Sequence, residues 1–149
     1  HDAVVHGDRL FVVGGWTLAG EQQTWLTTGW VLDLATPGAV WQALPTPPFQ
    51  RRALAVAGLG ERLFALGGLD QDGEPSPQVD VLDLGTGTWQ RGPDLPGFGF
   101  AVAAVTVGES LFASGRDGDL LRHDDQGWTR VGRLALPRFF HRLLPAADG

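Results

Sequence analysis

The stretch VLDLGTGTW, residues 81–89, contains the residue types of a nucleotide-cofactor site. A run of strand-forming residues ends in Asp83, and Gly85 and Gly87 follow where a backbone could approach a ligand closely. An acidic group there could hold a ribose, and the N-terminus of a following helix could hold the ligand's negative charge. A second candidate is DQDGE at 70–74, which faintly resembles an oxygen-rich calcium loop through Asp70 and Asp72 but lacks the rest of it, including the distal bidentate Glu. The simpler reading of that stretch is a solvated hairpin tip. The four histidines, His1, His6, His123 and His141, show no metal-ligand spacing. No nucleophile motif of the G-x-S-x-G kind is present. These residues assign no catalytic group, no metal and no cofactor.

The elements that would position these groups are set by an internal repeat. DRLFVVGG at 8–15 recurs as ERLFALGG at 61–68 and, weaker, as ESLFASGR at 109–116. VLDL at 31–34 recurs at 81–84, in phase with the first motif. Each unit then reaches a tryptophan: Trp41, Trp89 and Trp128. The stretch at 81–89 resembles the first motif of S-adenosylmethionine-dependent methyltransferases, but Trp89 stands where that motif needs glycine. Pro93 and Pro96 in the following QRGPDLP bar the helix such a site requires. Gly85-Thr86-Gly87 is therefore expected to be a turn between two strands.

Each unit reads as four short apolar strands separated by Gly, Pro and Asp turns, and no stretch of 12 residues shows a helical period. Four strands in about 50 residues is the period of a propeller blade. The pattern resembles the kelch family. RFFH at 138–141 matches that family's Arg-x-x-His entry into a first strand, FALGG its second strand, and VLDLGTGTW its third strand and tryptophan. The resemblance covers essentially the whole chain. It departs from the family at Leu32, Leu82 and Leu121, which replace the usual Tyr, and at Arg116, which replaces the second Gly. Trp41, Trp89 and Trp128 are expected in the core beside Phe11, Phe64 and Phe112. The expected fold is all-β: a kelch-type propeller fragment over 1–149, with blades near 1–50, 51–98 and 99–137. An orphan strand would open a fourth blade at 138–149. Three blades do not close a ring of the usual size, about four to eight. The remaining blades are expected in a longer chain, six in all by family resemblance. Assembly of two chains into one ring is the alternative, and the orphan strand argues against it.

Composition narrows the function. The formal net charge is −6 and no basic tract stands out, which speaks against nucleic-acid or anionic-membrane binding. No apolar run reaches transmembrane length, about 18 residues. With no Cys, the chain forms no disulfide or thiolate site. The absence of Met, Tyr, Lys, Asn and Ile, and the use of Arg for all eleven basic residues, suit a GC-rich bacterial genome.

In a blade, the loops between strands two and three, and from the fourth strand to the next blade, share one face. On that face the candidate ligand contacts are Trp16, Trp25, Arg51, Arg52, Asp70, Asp72, Arg116, Arg138 and His141. The expected function is a non-enzymatic binding module for a protein segment or glycan. The resemblance also allows an enzyme similar to bacterial sialic acid mutarotases. That reading would use Arg138, Arg51 or Arg52 on a substrate carboxylate and His141 as acid or base. A structural repeat of a larger surface protein is the third reading. The copper radical oxidases of similar fold rely on Tyr and Cys, which this chain lacks. Within loop 16–30, Trp30 is expected to pack on the blade and Trp16 stands between packing and exposure. Trp25 is expected to be exposed as a platform for a sugar face or peptide side chain; the alternative is that the loop folds back and Trp25 caps a blade.

Overall fold

A computed structural model describes residues 1–97, 99–124, 126–138 and 140–146; Phe139 of the RFFH motif lies outside them. The described residues form strands and turns and no helix. Blade 1 consists of β1 (Asp2–His6), β2 (Arg9–Val13), β5 (Gly29–Asp33) and β6 (Gln42–Ala43), in the order β1-β2-β5-β6. An additional hairpin, β3 (Trp16–Ala19) and β4 (Gln22–Trp25), is inserted between β2 and β5. Blade 2 consists of β7 (Ala55–Leu59), β8 (Arg62–Leu66), β9 (Val79–Asp83) and β10 (Thr88–Arg91). Blade 3 consists of β11 (Ala103–Val107), β12 (Ser110–Ser114), β13 (Asp119–Asp124) and β14 (Gly127–Arg133). All pairings are antiparallel and, apart from β2 with β5 across the inserted hairpin, join strands consecutive in sequence, the arrangement short turns allow.

The turn at 85–87 joins β9 to β10. Asp83 accepts from the backbone N–H of Gly85 (3.0 Å) and Thr86 (2.7 Å) and from the Thr86 hydroxyl (3.0 Å). Asp33 serves Ala35 and Thr36 in the same way, and Asp124 serves Gln126 and Thr129. The acidic residue of the opening motif is thus a turn-former, repeated in every blade.

Blades stack through two apolar layers. Phe11, Val13 and Phe49 of blade 1 meet Leu54, Val56, Leu63, Ala65 and Leu82 of blade 2. Phe64, Leu66, Val79 and Leu95 of blade 2 meet Val102, Leu111, Ala113 and Leu121 of blade 3. The motif tryptophans fasten these layers. The Trp89 indole N–H donates to the Pro45 carbonyl of the preceding blade (2.9 Å), and Trp128 donates to that of Pro93 (3.0 Å). Gly68 N–H donates to Gly99 O across the second junction (2.8 Å), as Gly15 N–H does to Arg51 O across the first (3.2 Å). Two residues beyond these acceptors, Ala53 and Ala101 take positive φ, as does Phe140 two residues beyond Arg138. This recurrent left-handed turn marks Arg51, Gly99 and Arg138 as one repeat position.

Three expectations are corrected. Trp41 is 45 % exposed, with no acceptor for its indole among the described residues, and Trp30 is 42 % exposed beside it. Register pairs His123 with Trp128 as Leu82 pairs with Trp89, so His123, not Leu121, takes the place of Leu82. A bulge in β14 and a shorter loop before β13 hide that shift from the sequence. Residues 141–146 join no strand ladder; Arg142, Leu143, Leu144 and Pro145 instead line the cleft along the inner strands β1, β7 and β11.

Candidate functional site

The segment 16–25, expected as a loop, is a two-stranded hairpin. Gly14 N–H donates to Thr28 O (2.9 Å) and Leu26 N–H to Gly15 O (2.9 Å), closing its base. Gly20, at φ 62, begins the two-residue turn with Glu21, where a side chain would be strained. The register sets Trp16 directly opposite Trp25 and Thr17 opposite Thr24, with Gln23 and Gln22 towards the tip. Cross-strand aromatic pairing of this kind stabilises an isolated hairpin.

Arg52 completes the cluster. It lies on the link between blades 1 and 2, fixed by backbone hydrogen bonds to Leu69 in both directions (3.0 and 2.8 Å). Its guanidinium carbon lies 5.0 Å from the Trp16 ring centre and 5.7 Å from that of Trp25. Both distances are within cation–π range. Among the described residues Arg52 has no acidic partner, and its Nε is buried without an acceptor. Trp25 is accordingly half-buried rather than free, and Trp16 is its partner.

Arg51, one residue earlier, points the other way. It is 2 % exposed, donates to Gly67 O (3.0 Å) and Gln78 O (2.5 Å), and pairs with Asp80. Its guanidinium also lies 4.3 Å from the Phe49 ring centre. Burial pushes Arg51 down to about 10 despite the raising influence of Asp80, and burial raises Asp80 despite Arg51. Desolvation therefore outweighs attraction on both sides of the pair. Three of its donors are committed inside the blade, and Arg51 also lines the groove that Asp70 and Asp72 border.

Asp70 is equally occupied by structure. Its Oδ1 accepts from the N–H of Asp72 (3.0 Å) and Glu74 (2.9 Å), the hairpin tip that was the alternative to a calcium loop. No group of three metal-ligating side chains occurs among the described residues. Asp70 and Asp72 nevertheless line a polar groove of about 550 Å³, with Gln50, Gln71 and Gln78 across from Pro47, Pro48 and Phe49. Thr27, two residues beyond Trp25, forms its edge and links groove to hairpin.

The other candidates lie elsewhere. Arg116 lines a small pocket of about 20 Å³ with Phe100 and Asp117. Arg138 is exposed and donates weakly to Leu136 O (3.4 Å). His141 is partly buried, and burial lowers its pKa against the raising influence of the Arg138 backbone, with the charges of Arg138 and Arg142 adding to the lowering.

A family model of the Kelch motif matches residues 50–96, the stretch containing Arg51, Arg52 and all of blade 2. The chain thus carries a kelch motif in blade 2 and is similar to kelch-repeat proteins. Human Kelch-like protein 34 is 28 % identical over 163 residues, covering 96 % of this chain and 25 % of that protein. Human Kelch repeat and BTB domain-containing protein 13 is 33 % identical over 90 residues, covering 60 % of this chain and 19 % of that protein. The solved structure of YjhT superposes with a TM-score of 0.71 at 15 % identity, covering 90 % of this chain and 51 % of that one. The chain thus spans a quarter or less of these curated relatives and about half of the solved structure.

Within the kelch pattern, blade 2 keeps the arginine and blade 3 departs from it. Gly99 stands in the place of Arg51, and Leu121 stands in the register position of Asp80, so blade 3 lacks both members of the pair. Sequence reasoning missed Thr27, Gln50 and Gln78 as groove residues. Their signal was Pro47-Pro48, which forces an extended strap and opens the groove beside it.

Proposed function

We propose that this chain is a binding module whose ligand sits on the loop face between blades 1 and 2. The ligand would rest on the Trp16–Trp25 hairpin and extend into the groove of Gln50, Asp72 and Gln78. One observation carries the reading: a guanidinium without an acidic partner held against two indoles of a hairpin that blades 2 and 3 lack. Aromatics paired across a hairpin give contact area at low entropic cost, and the amides and carboxylates beside them fix orientation. The reading covers a peptide segment or a glycan. The test is a screen of defined glycan and peptide arrays against the full chain and against Trp25→Ala. Loss of a defined hit with Trp25→Ala, at unchanged melting temperature, supports the site. Hits that survive both Trp25→Ala and Arg52→Ala place binding elsewhere.

A further inference from the structure

The outer edges of the three blades are guarded against a further strand. β6 is two residues long with Pro45 just beyond it, β10 ends at Arg91 with Pro93 close behind, and β14 carries Arg130, Arg133 and a bulge. Very short strands, charges, prolines and bulges keep a sheet edge from pairing with another chain. The β3–β4 hairpin has no such charge, proline or bulge. It is a two-stranded sheet of its own, so among the described residues both of its edges are open. Its strands read Trp16-Thr17-Leu18-Ala19 and Gln22-Gln23-Thr24-Trp25, and the one charge within 16–25 is Glu21 in the turn.

Register shows which main-chain groups face outward. Leu26 N–H donates to Gly15 O (2.9 Å), which makes Gly15 and Leu26 a hydrogen-bonded pair. Bonded and non-bonded pairs alternate along an antiparallel ladder. Trp16–Trp25 and Leu18–Gln23 are then non-bonded pairs, and the N–H and C=O groups of Gln23 and Trp25 point away from β3. Among the described residues these groups meet no other main-chain group. The β4 edge leads to the groove, since Thr27, next in the alternation after Trp25, lines it. Of the ionisable groups along that groove, Arg51 is paired with Asp80 and Asp70 is held in its turn. The Asp72 carboxylate takes no hydrogen bond or ion pair among the described residues, so the groove carries net negative charge.

We propose that the ligand of this face is an extended peptide segment of a partner protein, which adds to the β4 edge as a third strand and places a Lys or Arg side chain in the groove near Asp72. The inference rests on the reading of the hairpin as the ligand site and selects the peptide over the glycan. Main-chain hydrogen bonds to Gln23 and Trp25 set the register of the added strand, and the groove selects its charge. A second copy of the hairpin paired with β4 would turn back at Gly20-Glu21 and leave the groove unfilled, whereas a longer extended segment occupies both.

A random dodecapeptide phage library panned on the full chain supplies the probes, and each binder is synthesised and titrated. Binders should carry Lys or Arg, and Asp72→Asn should weaken them. Gln23→Pro removes an outward N–H that Gln23→Ala keeps, so the proline variant should bind at least about fivefold more weakly than the alanine variant. On the unaltered chain, single N-methylation along each peptide should weaken binding at every second residue of the paired stretch and not between. That scan decides the matter even where near-ultraviolet circular dichroism shows the hairpin disrupted by Gln23→Pro. Binders lost with Trp25→Ala but showing neither the proline effect nor the alternation keep the hairpin as the site and overturn strand addition. A library without binders, hits confined to glycans, or a dimer in sedimentation that Gln23→Pro disperses also overturns it, the last by giving the edge to a second copy. Binders indifferent to both Trp25→Ala and Arg52→Ala overturn this inference together with the reading beneath it.

Discussion

Arg51 and Arg52 are adjacent and have opposite fates. In extended backbone, successive side chains leave on opposite sides, so one enters the blade and its neighbour reaches the hairpin. Arg51→Ala leaves Asp80 buried beside only the partly exposed Arg91, 3.6 Å away. The expected loss is about 3 kcal/mol, typical of breaking one side of a buried pair. Replacing both, Arg51→Met with Asp80→Leu, should recover most of that loss, because desolvation rather than attraction dominates the pair. Blade 3, with Gly99 and Leu121, already dispenses with it. Urea denaturation of the single and double variants measures the difference; a double variant as unstable as Arg51→Ala contradicts the argument. The sequence showed that two arginines precede a strand. Which one would be buried depended on the phase of the strand, and a left-handed residue at Ala53 resets that phase.

At the scale of the element, the repeat made the blades legible before their contacts were known. The Phe spacing, the VLDL pair and the tryptophans located the strands of all three sheets. The β3–β4 hairpin was not legible, since WTLA and QQTW lack the β-branched alternation of a strand and have no counterpart in the other units. The tryptophans illustrate the other limit. A motif predicts which face of a blade a residue takes, while burial depends on the blade in front. In dilute monomeric solution Trp89→Ala should cost about 3 kcal/mol, and Trp41→Ala far less, since little packing is lost. Thermal or urea melts compare the two, and equal losses would mean Trp41 is covered. The Asp turns give a pH dependence. Hydrogen bonds, from Thr36 and Ala35 at Asp33, from Thr86 at Asp83, and from Thr129 and Gln126 at Asp124, hold these pKa values below the usual 3.8. Their stabilisation is present above that value and is lost as pH falls through the lowered folded values. Asp83→Asn should therefore reduce the acid-side fall in stability, read as the change in urea midpoint between neutral pH and strong acid. An unchanged acid-side slope would exclude the turn as its source.

For the whole molecule, the contacts that fasten one blade to the next share a direction. Trp89 reaches back to Pro45 and Trp128 back to Pro93, so each blade supplies the donor and its predecessor the acceptor. A ribosome delivers the amino-terminal end first. Pro45 is therefore already outside the exit tunnel when Trp89 emerges, and each new unit finds its docking surface waiting. Residues 1–50 alone lack the indole that covers their strap and should remain protease-sensitive while nascent. Protection should appear once translation has carried Trp89 clear of the tunnel, and a second step should follow for Trp128. Pulse proteolysis of stalled nascent chains of graded length would resolve those steps, and protection arriving all at once at full length would show that synthesis order plays no part.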